Sequence, residues 1–122
     1  LMRSSAASDV YKRQKYVWGG SSPQTSFDCS GLTQWCFGQA GVSLPRTAQE
    51  QYEAVQHLEL EEAQPGDLVF FQGTYNTAGA SHVGIVVDPV NKIMIHCGNP
   101  IQYASYDTPY WRAHAYCYGR IQ

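Results

Sequence analysis

The sequence predicts an α+β domain in which helices come first and an antiparallel β-sheet follows. Between Asp28 and Val55 apolar residues recur at three- and four-residue steps, the period of a helix with one buried face. Beyond the Pro65-Gly66 turn the chain switches to short runs rich in Val, Ile and Phe, separated by Gly, Asn, Asp and Pro, which is strand punctuation. A length of 122 residues with 43% hydrophobic content provides one small core, hence one domain.

The elements follow in order. Lys15 to Trp18 is a short apolar, aromatic segment closed by the Gly19-Gly20-Ser21-Ser22-Pro23 loop. Asp28 to Ala40 forms a helix with Leu32, Trp35, Cys36 and Ala40 on one face, and Gly41 stops it. Pro45 and Thr47 open a second helix carrying Ala48, Tyr52 and Val55, which dissolves in the acidic, polar stretch from Glu59 to Gln64. Asp67 to Phe71 is a strand, and Gln72 to Ala80 a loop rich in Gly, Thr, Asn and Ala. Three further strands, Ser81 to Val87, Lys92 to Cys97 and Ala115 to Ile121, complete the sheet. The Asp88-Pro-Val-Asn turn joins the first two of these.

Composition narrows the function. A net charge of -2 gives no basic footprint, so nucleic acid is not an expected partner. No apolar run is long enough to cross a bilayer. Cys29, Cys36, Cys97 and Cys117 show neither metal-ligand pairing nor the density of a disulfide scaffold, and are expected to be free thiols, one reactive and three packed as small hydrophobes. Cys29, His82 and His96 suit zinc by ligand type, but no close-set pair accompanies them, so no metal or other cofactor is expected. Residues 1–14 are expected to be a leader of non-native origin, with the domain spanning 15–122. The leader has no signal-peptide core, and Asp9 to Gln14 back-translates to the end of a transposase sequencing adapter. A genuine polar first helix over 6–14 is the competing reading, and a lost upstream signal or domain would follow from the first.

Cys29 stands in Ser26-Phe-Asp-Cys-Ser-Gly-Leu32, a small polar turn that opens the first helix, with His82 and His96 on strands downstream. This suits a cysteine hydrolase, because a thiol attacks as the thiolate, and both a helix N-terminus and a neighbouring imidazole lower its pKa. Asp28 and Ser30 are poor core residues, which favours a reactive Cys29 over a buried structural one. Alone, His82 and His96 would more often be packed histidines, while His57 and His114 have no motif around them.

Six ordered blocks resemble the signature of NlpC/P60 cysteine peptidases. They are Tyr16-Val-Trp-Gly-Gly20, Phe27-Asp-Cys-Ser-Gly-Leu32, Leu44-Pro-Arg-Thr47, Pro65-Gly-Asp-Leu-Val-Phe-Phe71, His82-Val-Gly-Ile85 and Met94-Ile-His96. The stretches around Gly73 to Asn76, Gly98 to Tyr103 and Tyr110-Trp111 are similar to the subgroup found in cell-wall hydrolases of Gram-positive conjugative elements, where this domain follows a lysozyme-like domain. The resemblance implies a papain-like fold, secretion to the cell wall, and hydrolysis of peptidoglycan stem peptides at the γ-D-glutamyl to diamino acid bond by a monomer. It implies Cys29 as nucleophile, His82 as general base and His96 as the group that orients the base. Tyr16 is the implied oxyanion donor, with Asp28, Ser30, Arg46 and Trp18 as substrate-binding residues. Arg46 has an equal reading as the partner of a surface acid, and Asp67 reads as a turn cap. Tyr52, Tyr103 and Trp111 are further aromatic candidates for the cleft wall. The turn between the two histidines is about two residues longer than the common pattern, so His96 depends on strand pairing to reach its place. A CHAP-type amidase would use the same Cys and His pair, and an inactive wall-binding module is the non-enzyme alternative, disfavoured by the presence of all three residues.

Overall fold

The computed structural model describes residues 21–22, 26–59, 62–97 and 101–121. Two short strands, β1 (Ser21–Ser22) and β2 (Ser26–Phe27), pair antiparallel and lead into helix α1 (Cys29–Gln39). Helix α2 (Ala48–Ala54) and strands β3 (Gln56–Leu58), β4 (Leu68–Gln72), β5 (Ala80–Asp88), β6 (Ile93–Cys97) and β7 (Ile101–Ser105) follow, then helix α3 (Pro109–His114) and strand β8 (Ala115–Arg120). Strands β3 to β8 form one antiparallel sheet in the order β3-β8-β4-β5-β6-β7, and the fold is α+β as predicted.

Capping fixes both early helices. The Asp28 carboxylate accepts from the Gly31 amide at 2.8 Å and so starts α1 at Cys29. The chain leaves α1 through Gly41 at φ +85, a conformation that favours glycine, and the Val42 amide closes back on the Phe37 carbonyl at 2.9 Å. Thr47 and Glu50 form a reciprocal capping box at the start of α2.

The expected stripe on α1 is corrected in detail: Ala40 is exposed, and Phe37 takes its place in the core. The first turn is buried on every side, with Ser30 and Thr33 as well as Cys29 and Leu32. That burial is tolerated because the polar groups are satisfied. Thr33 Oγ1 meets Gln51 Oε1 at 2.6 Å, and Gln51 Nε2 donates at 2.9 Å to both the Ser30 and Pro45 carbonyls. Gln51 is wholly buried and ties α2 and the Pro45-Arg46 loop to the opening of α1.

The sheet has two apolar faces. Leu68, Phe70, Val83, Ile85 and Ile95 pack with α1 on one, and Val69, Phe71, Val86, Met94, Tyr106 and Tyr118 form the other. Alternation along β5 therefore sends Val83 and Ile85 toward the helices and His82 toward the opposite face. Burying each large apolar side chain here stabilises the fold by about 1.5–3 kcal/mol.

Where a helix was expected to fade, Gln56–Leu58 instead pairs with β8 as an edge strand. β7 and α3 were not anticipated. Asp67 caps its turn by accepting from the Gln64 amide at 2.8 Å. It also receives both arms of Arg120 at 2.9 and 2.8 Å, which staples the turn to β8.

Candidate active site

Cys29 is the first residue of α1 and is 6% exposed. Its Sγ lies 4.0 Å from the Ser81 carbonyl and within reach of the Val83 main-chain N–H, so the thiol is held against β5 on both sides of His82. The His82 ring is bonded to His96, with Nε2 and Nδ1 2.9 Å apart. With Nε2 engaged in this bond, Nδ1 is the other ring nitrogen of His82, and which imidazole donates to the other depends on the tautomer.

Strand register delivers His96. It pairs with Gly84 across β5 and β6, and a bulge between Val86 and Asp88 absorbs the longer turn. The turn itself is closed by Asp88, whose Oδ1 accepts from the Val90 and Asn91 amides at 3.0 and 3.1 Å. At Gly84 a Cβ would come 2.8 Å from Met94 Sδ, 3.3 Å from the Ile95 carbonyl and 3.4 Å from His96 Cβ, so a side chain there would require the Met94 thioether to move.

Burial dominates the electrostatics. It pushes the Cys29 thiol up to about 11 despite the Val83 and Ser30 N–H groups and Arg46, which favour the thiolate; Asp28 adds to the rise. It pushes His82 down to about 3, helped by repulsion from His96, and His96 down to about 4. His82 keeps some surface, but its ring lies among Phe71, Trp111 and His96, which exclude water from it. Burial therefore favours the thiol over the thiolate at Cys29. A lowered thiol pKa was the sequence expectation, and in the folded chain desolvation outweighs the helix terminus.

Beside Cys29, Arg46 closes on its neighbours: Nη2 donates to Asp28 Oδ2 and Nη1 to Ser30 Oγ, each at 3.0 Å. The partner of Arg46 is therefore a buried acid adjoining Cys29, and the expected surface acid is replaced. Tyr75, on the loop after β4, was singled out for no role by sequence; its phenol is pushed up by partial burial and by the nearby Cys29 and Asp28. That loop is anchored by Thr74, whose amide and hydroxyl meet Ser81 Oγ at 3.0 and 2.6 Å. His57 and His114 lie away from the site, bonded to the Tyr52 and Gln72 carbonyls. None of the four cysteines is joined in a disulfide, and no metal-binding cluster occurs among the described residues. Tyr16 and Trp18 lie outside the described residues, as does the whole of the 1–14 leader.

Comparison with known proteins gives a match to the NlpC/P60 family over residues 13–120. The chain is 50% identical over 113 residues to the bifunctional muramidase/DL-endopeptidase CwlT of Bacillus subtilis, covering 92% of this chain and 34% of that protein. It is 43% identical to "Probable endopeptidase p60" of Listeria monocytogenes, covering 87% of this chain and 21% of the relative. The crystal structure of a lipoprotein-like NLP/P60 family protein from Staphylococcus aureus superposes with a TM-score of 0.93 at 44% identity, covering 98% of this chain and 40% of that one. The chain thus spans about a third or less of the length of these two curated relatives.

Proposed function

Since this chain belongs to the NlpC/P60 family, we propose that it is a cysteine endopeptidase of peptidoglycan stem peptides that cleaves the γ-D-glutamyl to diamino acid bond and acts outside the membrane, at the wall. The observation that carries this is the Cys29, His82, His96 relay: a thiol at a helix N-terminus, an imidazole with one nitrogen to spare, and a second imidazole holding the first at 2.9 Å.

The steps follow from that geometry. With both partners buried, a charge on either alone is costly, so proton transfer from Cys29 Sγ to His82 Nδ1 accompanies attack on the carbonyl carbon. The Cys29 main-chain N–H, at the open end of α1, faces the developing oxyanion, and Tyr16 is the proposed second donor. Collapse breaks the C–N bond, and His82 returns the proton to the leaving amine. Water, deprotonated by the same Nδ1, then hydrolyses the thioester and restores the thiol. His96 keeps its bond to Nε2 throughout and faces a full positive charge only while His82 is an imidazolium. Asp28, Ser30 and Arg46 form a charged, hydroxyl-bearing patch beside the acyl carbon, which we assign to substrate binding together with Trp18.

Digesting defined muropeptides and weighing the products tests the reading. The expected fragments end in γ-linked D-glutamate on one side and begin with the free amine of the diamino acid on the other. Release of intact peptides from muramic acid would instead identify an amidase, and no cleavage with substrate bound would identify a binding module.

A further inference from the structure

The indole of Trp111 lies where the two imidazoles meet. It stacks on His82 with centroids 5.3 Å apart and planes at 26°, stands edge-on to His96 at 5.4 Å, and touches Phe71 at 4.5 Å. Trp111 belongs to the short helix α3, whose start is fixed twice: Thr108 Oγ1 accepts from the Trp111 amide at 3.3 Å, and Arg112 Nε donates to Asp107 Oδ1 at 2.8 Å. Trp111 also lines a cavity of about 630 Å³ on the sheet face away from α1, shared with Phe71, Tyr106 and Tyr118. At about 30 Å³ per water such a space admits many waters. The indole is the partition between that space and the bond joining His82 to His96.

We propose that Trp111 is a positioning residue for the base, holding His82 in the orientation that keeps Nε2 on His96 and turns Nδ1 to Cys29, while it shuts water out of the bond between the imidazoles. This rests on the proposed roles of Cys29, His82 and His96. Two physical effects support it. A hydrogen bond kept dry is electrostatically stronger and fixes ring orientation better than one competing with water. A stacked indole face also favours the imidazolium that forms during attack, so it acts most when the proton has moved. Titratable groups on the elements around the pair are Cys29 on α1, Tyr75 after β4, Cys97 on β6, Tyr103 on β7, and Arg112 and His114 on α3; of the described groups, His96 is the one whose charge acts on His82.

The test compares Trp111→Phe, Trp111→Leu and Trp111→Ala by kcat, KM, Tm and the acid limb of kcat/KM. Trp111→Leu and Trp111→Ala are expected to lower kcat about tenfold or more with KM within about twofold. Their acid limb should move up, because burial is the larger influence on His82, and hydrating the imidazole raises its proton affinity by more than losing the indole face lowers it. Trp111→Phe, which keeps a ring over His82, should recover most of kcat. A Trp111→Leu protein with wild-type kcat and acid limb, whatever its Tm, would overturn the proposal, leaving the indole a packing residue. Alkylation of Cys29 followed against pH by mass spectrometry reports the same shift without any peptide substrate, so a wrong assignment of the cleaved bond leaves this test standing.

Discussion

At the scale of single residues the account turns on protons. In the proposed relay His96 Nδ1 accepts from His82 Nε2, and an amide oxygen can do the same. His96→Gln is therefore expected to keep part of kcat, whereas His96→Ala should cost about a hundredfold, within the range usual for misplacing a general base. Steady-state kinetics below the melting transition of each variant decide this; equal kcat for wild type and His96→Ala would remove His96 from the relay. The depressed imidazoles also set a pH dependence. Attack needs neutral His82, whose proton affinity in the fold lies well below the ordinary 6.5, so the acid limb of kcat/KM should have its midpoint below pH 6.5. Asp28 carries two duties, capping α1 and pairing with Arg46. Asp28→Ala should lower stability by about 1–2 kcal/mol through the cap alone. Asp28→Asn keeps an acceptor for the Gly31 amide but releases the charge of Arg46, so it should spare most of the Tm while altering KM.

At the scale of elements, the approach of β5 to β6 is the dimension that places the histidines. Gly84→Ala would set a methyl against Met94 Sδ, the movable end of its side chain, and tighten on the Ile95 carbonyl, while His96 Cβ stays at an ordinary contact distance. The expected result is a modest loss of Tm with kcat largely kept, measured side by side. Much of this scale was legible in sequence. α1, β4, β5, β6, β8 and the start of α2 lie within a residue or two of expectation because each announces itself by caps, period or a Pro-Gly turn: Asp28 and Thr47 begin helices, Gly41 ends one, and Pro65-Gly66 opens the sheet; α2 itself stops at Ala54, short of the acidic stretch. β3 and β7 were not seen because three polar-flanked residues and an Ile-Gln-Tyr-Ala-Ser run have no pattern of their own; pairing with β8 and β6 makes them strands. α3 carried a signal, Thr108 before Pro109 at the first helical position, that would have located it and drawn attention to Trp111. In the candidate site, motif order singled out Cys29, His82 and His96 for the proposed relay, but the pairing of Arg46 with Asp28 and the stack of Trp111 on His82 depend on loops meeting across the fold. The raised thiol likewise depends on how completely α1 is buried, which no local window reports.

For the whole molecule, linkage joins the site to stability. Both imidazoles resist protonation in the fold, so as pH falls through 6.5 the unfolded chain takes up protons first. Stability is intact above about pH 6.5 and declines from there toward pH 4, and thermal melts of wild type and His96→Gln should show a shallower decline in the variant. A separate expectation concerns the leader: if residues 1–14 are of non-native origin, deleting residues 1–8 should change stability by less than about 1 kcal/mol, the usual size of a change away from the core. A large drop in Tm would show that those residues had been recruited into packing. Chelation should leave activity unchanged, because the proposed relay uses a thiol and two imidazoles; loss in EDTA restored by zinc would replace it. The central claim is that Cys29 is the nucleophile, and turnover of muropeptides by Cys29→Ser and Cys29→Ala tests it most directly. Each substitution changes little volume at a buried position, so folding by circular dichroism should be retained while turnover falls by several orders of magnitude. A folded variant keeping more than about a hundredth of the wild-type rate would contradict the account.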